Sequence, residues 1–191
     1  MTPAEQARAG LTALAALATR TGEEHAETIA AIADSYVTAL RAGGTLFFAG
    51  NGGSAADAQH IAAEYVVRYS HNRRPLPAVA LTTDTSLLTA CANDLGYDEI
   101  FARQVEALVR SGDVLVLHST SGESPNTLRA AQAAKVKGVT VVALLGKGGG
   151  ALKGLADHHL VVPSDETSHI QEVHLAVEHI VCAMVESALA L

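Results

Sequence analysis

Thr45-Leu46-Phe47-Phe48-Ala49 runs unbroken into Gly50-Asn51-Gly52-Gly53-Ser54, and this junction decides the fold. An apolar run of strand length with no polar alternation is a strand covered on both faces, as in a parallel sheet flanked by helices. A second junction repeats the design. Val114-Leu115-Val116-Leu117 leads into Ser119-Thr120-Ser121-Gly122-Glu123-Ser124, and a helical pattern follows each loop. Small and hydroxylic residues there aim backbone N–H groups and a helix dipole at whatever lies above the strand ends. Two such cradles in one domain imply a phosphorylated small molecule bound above the sheet.

Outward from these junctions the chain alternates. Strand-like runs fall at 45–49, 77–81, 113–118, 139–145 and 159–162. Helical patterns fall at 54–69, 84–92, 98–110, 124–137 and 169–190, with a short one near 151–156. Strand–helix repetition predicts an α/β fold, a five-stranded parallel sheet flanked by helices in a Rossmann-like three-layer sandwich. Residues 3–42 read as two helices broken near Thr21-Gly22, the second carrying Ile29, Ile32, Ala33, Tyr36 and Leu40 at helical spacing. They are not needed as a crossover, so 1–42 is expected to be a helical extension packed against another subunit, within a single domain 1–191. Lys147-Gly148-Gly149-Gly150 reads as a further loop at the strand ends.

Composition narrows the function. The chain has 191 residues, enough for one domain with a real core, and no Trp, so that core is built from Ala, Val, Leu and Ile. A net charge of −7 argues against a broad nucleic-acid or acidic-membrane footprint, although Arg68, Arg73 and Arg74 make a small basic patch. Cys91 and Cys182 lie in apolar helical surroundings and read as small buried hydrophobes. That usage suits a reducing cytoplasm. No signal-peptide pattern opens the sequence, and no apolar run is long enough to span a bilayer.

Each loop has a plain structural reading as a helix start. Ser54 suits an N-cap with Asp57 three residues on, and Ser124 suits a cap with Pro125 at the first helical position. The second loop exceeds that need, with hydroxyls at Ser119, Thr120, Ser121 and Ser124. Neither the P-loop nor the dinucleotide glycine spacing is present, which favours a single terminal phosphate over a nucleotide.

Helix 54–69 has two faces. Ala58, Ile61, Ala62, Tyr65 and Tyr69 form a packing stripe, while Asp57, His60, Glu64 and Arg68 form a polar one. By spacing alone the polar stripe also fits an ordinary solvated face. The last helix is apolar nearly all round and therefore reads as buried, yet Gln171, His174 and His179 interrupt it. Gln171 and His179, eight residues apart, lie within about 80° of each other, and His174 reads as a satisfied core histidine. His60, Glu64, Gln171 and His179 together offer two imidazoles, a carboxylate and an amide. They suit a divalent metal, zinc above all, or an acid/base pair beside a carbonyl. The two uses compete for the same atoms.

At these residues the chain resembles the sugar isomerase (SIS) domain and, within it, the phosphoheptose isomerase family. The matching stretches are Gly50 to His60, Ala63-Glu64, Asn93-Asp94, Ser119-Thr120-Ser121-Gly122, and Ile170-Gln171-Glu172 with His179. Arg74 to Ala78 and Leu81 to Asp84 match as well. The resemblance runs from about Gly43 to the C-terminus. It implies interconversion of sedoheptulose 7-phosphate and D-glycero-D-manno-heptose 7-phosphate by proton transfer through an enediol. It implies that Glu64 and His179 are the acid/base pair. Asn51, Gly52, Gly53, Ser54, Glu64, Asn93, Asp94, Ser119, Thr120, Ser121, Ser124 and Gln171 would contact substrate. His60, Glu64, Gln171 and His179 would hold one zinc per subunit, and the assembly would be a homotetramer. The chain departs from the family pattern at Glu123, where Asn is usual, and at His118, Ser168 and His169. His118 and His169 bear on substrate preference. The rival readings are a non-catalytic adaptor of this fold that binds the replication initiator DnaA, a sugar-sensing regulator, and an isomerase of another sugar phosphate. Such an adaptor lacks the carboxylate corresponding to Glu64, and a regulator would usually carry a further DNA-binding domain.

Overall fold

The computed structural model describes residues 1–190. The first element is a single helix, α1 (Pro3–Arg41), and not two. Its start is set by a Thr2–Glu5 capping box with Pro3 in the first turn. Gly22 costs the helix only about 1 kcal/mol relative to Ala. The Arg20–Glu24 ion pair at 2.7 Å bridges the glycine, and the Thr21 hydroxyl donates to the Leu17 carbonyl. One isolated glycine does not stop a helix so supported.

Strand β1 (Leu46–Gly50) follows, then α2 (Gly53–Val66), β2 (Ala78–Ala80), α3 (Thr85–Asp94) and α4 (Ala102–Leu108), with a 3-10 turn at Tyr97–Glu99 before α4. The chain continues through β3 (Val114–Ser119), α5 (Pro125–Val136) and β4 (Thr140–Leu145). A 3-10 turn at Ala151–Gly154, β5 (His158–Val161) and α6 (Thr167–Ala188) complete it. All five strands are parallel in the order β2-β1-β3-β4-β5.

Alternate strand residues face opposite layers. Phe48, Val116 and Val142 pack against Ile32, Tyr36, Tyr65 and Val181 of α1, α2 and α6. Phe47, Leu115 and Val141 pack against Val105, Ala130 and Ala134 on the α3–α5 side. The second half of α1 is thus part of this chain's own core, contrary to the expectation that the whole segment serves another subunit. Tyr36 and Ile32 are fully buried, each contributing about 1.5–3 kcal/mol. The α6 helix is also not enclosed all round, since Ile180 is 51% exposed and Met184 38%. Cys91 and Cys182 are buried and unpaired by disulfide, as read from sequence.

The strand order reverses its direction of growth between β1 and β3. Such a switch point opens a crevice at the carboxyl ends of the two strands. Register pairs Gly50 with His118, so the two loops singled out from sequence leave the sheet side by side.

Candidate active site

The crevice at the switch point is a cleft of about 260 Å³ lined by Asn51, Gly52, Gly53, Ser54, His118, Ser119, Thr120, Ser124 and Gln171. Thr167 also lines it, a contribution no local pattern announced. Ser54 is not the cap of α2. Gly52 holds that position at φ 57, where a side chain would be strained, and no side chain caps the helix. Ser124 does occupy the N-cap of α5, with Pro125 next, but its hydroxyl makes no cap bond. The helix-start explanation therefore leaves both hydroxyls unused. Two helix N-termini face one cleft with spare donors, which is the composition of an oxyanion site.

The rest of the serine loop shapes itself. The Gly122 N–H donates to Ser119 Oγ at 3.1 Å, and the Glu123 N–H donates to Ser121 Oγ at 3.1 Å. The Glu123 carboxylate turns away from the cleft and accepts the Ala151 N–H at 2.8 Å, docking the 148–150 glycine loop. Asn51 is locked by a reciprocal amide pair with buried Asn126, at 2.9 and 2.8 Å, and its Oδ1 also accepts the Tyr97 hydroxyl at 3.0 Å. Asn126 and Tyr97 escaped sequence reading, because a side chain that orients another side chain carries no periodicity. Asn93 and Asp94 end α3, exposed and bonded to each other at 2.8 Å, and do not line the cleft in this chain.

A second cluster lies further along α2, where α2 and α6 run side by side. His60 Nε2 is 3.1 Å from His179 Nε2 and 3.3 Å from Glu64 Oε1. The ligand atoms of the three residues all lie within 4.8 Å of one another, a possible His/Glu/His metal-binding group. Zinc–nitrogen bonds of about 2.0–2.1 Å in a tetrahedron put neighbouring ligand atoms about 3.3 Å apart. The observed spacings fit that demand. Two members of the polar stripe, His60 and Glu64, thus belong to this possible metal-binding group, whereas Arg68 falls beyond the helix end. Gln171 is not with the three. Its amide faces the cleft, 3.5 Å from Ser54 Oγ, and packs on Gly53, where a Cβ would meet it at 2.6 Å.

Behind the trio is a buried polar layer. The His174 Nε2–H donates to the Leu145 carbonyl at 2.9 Å, so that nitrogen carries the proton. Burial drives its pKa down to about 3, so it is a neutral core histidine, as read from sequence. Buried His118 stacks on Phe48, and its Nε2 lies 3.4 Å from Glu178 Oε1. Its ring is almost fully buried, and the residue also borders the switch-point cleft. Burial also raises the Asp57 carboxyl, against the opposing pull of His118 and His60. The basic patch expected from Arg68, Arg73 and Arg74 is not one surface, because the Arg73 side chain is 1% exposed.

A switch-point cleft lined by serine hydroxyls on a five-stranded parallel sheet, beside a His/Glu/His group, is the arrangement of a SIS-domain protein. Residues 11–146 match the SIS domain family. The phosphoheptose isomerase of Paramagnetospirillum magneticum is 51% identical over 87% of this chain and 93% of its own. That of a Geobacter species is 50% identical over 98% and 97%. Among solved structures, the phosphoheptose isomerase of Neisseria gonorrhoeae superposes with a TM-score of 0.92 at 40% identity, covering 97% of this chain and 100% of that one. The chain belongs to the phosphoheptose isomerase family of SIS-domain proteins.

Proposed function

We propose that this enzyme interconverts sedoheptulose 7-phosphate and D-glycero-D-manno-heptose 7-phosphate, a ketose–aldose isomerisation through an enediol. The carrying observation is the pairing of two sites on one helix. Spare hydroxyls and N–H groups stand at the start of α2, and His60, Glu64 and His179 converge further along it. Ser54 and His60 are six residues apart, about 9 Å along the axis. That separation suits a substrate with an anionic end and a reacting carbonyl several carbons away.

In this reading the phosphate is held by Ser54, Ser119, Thr120, Ser121 and Ser124 with the Gly52-Gly53 backbone. Asn51 presents its remaining amide proton to the substrate, oriented by Asn126 and Tyr97. Glu64 takes the carbon-bound proton, and His179 moves the proton at oxygen. Holding the phosphate fixes C1 and C2 against Glu64, which converts binding into rate. Asn93 and Asp94 would reach substrate only across a contact between copies. His60, Glu64 and His179 would hold zinc, which when bound polarises the substrate carbonyl. The hydrogen bond of Gln171 to Ser54 supports a substrate-side role for that amide, with ligation requiring it to swing along α6. Exposed apolar residues on α1 and α6 support self-association as a homotetramer, and the acidic charge and cysteine usage support a cytoplasmic enzyme without nucleic-acid or membrane partners.

Incubation with sedoheptulose 7-phosphate should yield an aldose, detected as heptose 7-phosphate by mass and by aldehyde trapping. Glu64→Gln should abolish turnover while leaving the circular dichroism spectrum unchanged. Chelation should lower activity and added zinc restore it. Full activity in Glu64→Gln would end the acid/base assignment.

A further inference from the structure

The segment after α2 is tied down by a buried ion pair. Arg73 Nε donates to Glu186 Oε1 at 2.7 Å, and both side chains are 1% exposed. The same carboxylate accepts the Tyr69 N–H at 3.0 Å, the Ser70 N–H at 3.1 Å and the Ser70 hydroxyl at 2.9 Å. Arg73 gives its remaining nitrogens to carbonyls of the last turn of α2, Glu64 at 2.7 Å and Tyr65 at 2.8 Å, the latter also accepting the Leu76 N–H. Tyr69, held by its N–H, lays its ring on the imidazole of His179, with centroids 5.5 Å apart and planes at 24°.

Stability alone does not account for this arrangement. A buried ion pair can commonly be replaced by apolar side chains without loss, and a helix end can be capped at the surface. What the pair achieves is geometric. Glu186 stands two turns beyond His179 on α6, while Arg73 grips the carbonyl of Glu64 itself on α2. One knot therefore touches the backbone of one acid/base residue and, through Tyr69, the ring of the other.

We propose that Tyr69, Arg73 and Glu186 form a positioning unit that holds Glu64 and His179 in register. Arg73 fixes the turn that carries Glu64, and Tyr69 fixes the ring plane of His179. The inference rests on the acid/base and ligand assignments above. Displacement of about 1 Å at such a centre costs on the order of a hundredfold in rate, and loss of groups that orient a metal ligand weakens the metal about 10- to 100-fold.

The test compares the intact enzyme with Tyr69→Leu, Tyr69→Phe and the double variant Arg73→Met/Glu186→Met. Three quantities are read: kcat and KM on sedoheptulose 7-phosphate, zinc affinity by competition with a chromogenic chelator, and the unfolding midpoint. Tyr69→Leu and the double variant should lose at least about tenfold in kcat and in zinc affinity, with KM nearly unchanged. Tyr69→Phe keeps the ring and should recover both. Wild-type kcat and zinc affinity in Tyr69→Leu would overturn the proposal, as would an equal loss in Tyr69→Phe. If the double variant fails to fold, the Tyr69 pair decides. If the intact enzyme does not turn over the sugar, the functional reading falls, and zinc affinity across the Tyr69 variants still tests the positioning unit.

Discussion

Four serines look alike in sequence and differ in placement and in what their hydroxyls already hold: Ser54, Ser119 and Ser124 line the cleft, and Ser121 does not. Ser119 and Ser121 each accept a backbone N–H of their own loop, whereas Ser124 makes no cap bond and Ser54 meets only Gln171 at 3.5 Å. Removing Ser124 should therefore cost substrate contact without disturbing the loop. In Ser124→Ala, KM should rise at least about tenfold, about 1.5–3 kcal/mol for one hydrogen bond to an anion, with kcat little changed. Ser121→Ala should instead lower the unfolding midpoint as well, because the Glu123 N–H loses its acceptor. Steady-state kinetics and thermal melts on the two variants separate these roles. Glu123, a departure from the family pattern, shows how a local change is absorbed: its carboxylate accepts the Ala151 N–H and does not line the cleft.

The contact between α2 and α6 is the element-scale feature on which the site depends, and it is pH-sensitive. Burial pushes the Glu186 carboxyl up, but the Tyr69 and Ser70 N–H groups, the Ser70 hydroxyl and Arg73 outweigh it and hold the pKa at about 2. A depressed carboxyl contributes stability that is complete above its ordinary range near 4.5 and is lost as pH falls toward 2. The size is roughly 3 kcal/mol. His174, held down to about 3 by burial, has the same sign over a wider window, from 6.5 downward. Stability should accordingly decline from about pH 6.5 and steepen below about 4.5. Urea unfolding across this range should show the steep part reduced in Glu186→Gln. A slope identical to that of the parent would remove Glu186 as its source.

At the scale of the whole molecule, α1 divides into two parts. From Ile29 onward it is core, sealed to α6 by Arg41, whose Nη2 donates to the Ala188 carbonyl at 2.8 Å. Before that it is largely exposed, with Leu11 at 70%, and α6 shows Ile180 and Met184 on its outer face. If the chain self-associates as proposed, these exposed apolar residues on α1 and α6 are the candidates for the contact. Charge introduced there should block assembly without unfolding the domain. Leu11→Glu combined with Met184→Glu should sediment as a smaller species than the parent, with unchanged helix content. A parent that sediments as a monomer would exclude the tetramer.

Sequence by itself determined the five strands, the helices that follow them and their order. The runs at Leu46–Gly50 and Val114–Ser119 are apolar throughout because both faces are covered, and that pattern is local. The same holds for the two hydroxylic loops, and for His60 and Glu64, one turn apart on α2. Local pattern misjudged what depends on neighbours. Spacing alone makes Gly22 a break, Ser54 a cap, Arg73 a surface residue and Gln171 a companion of His179. Each of those outcomes is fixed by a partner distant in sequence or by a competing local bond: Glu186 for Arg73, Ser54 for Gln171, the Arg20–Glu24 bridge across Gly22, and Gly52 in place of Ser54. Tertiary structure alone brought His179 to His60 across 119 positions. Spacing along a chain encodes which face a side chain occupies, whereas the packing of one element on another decides what that face meets.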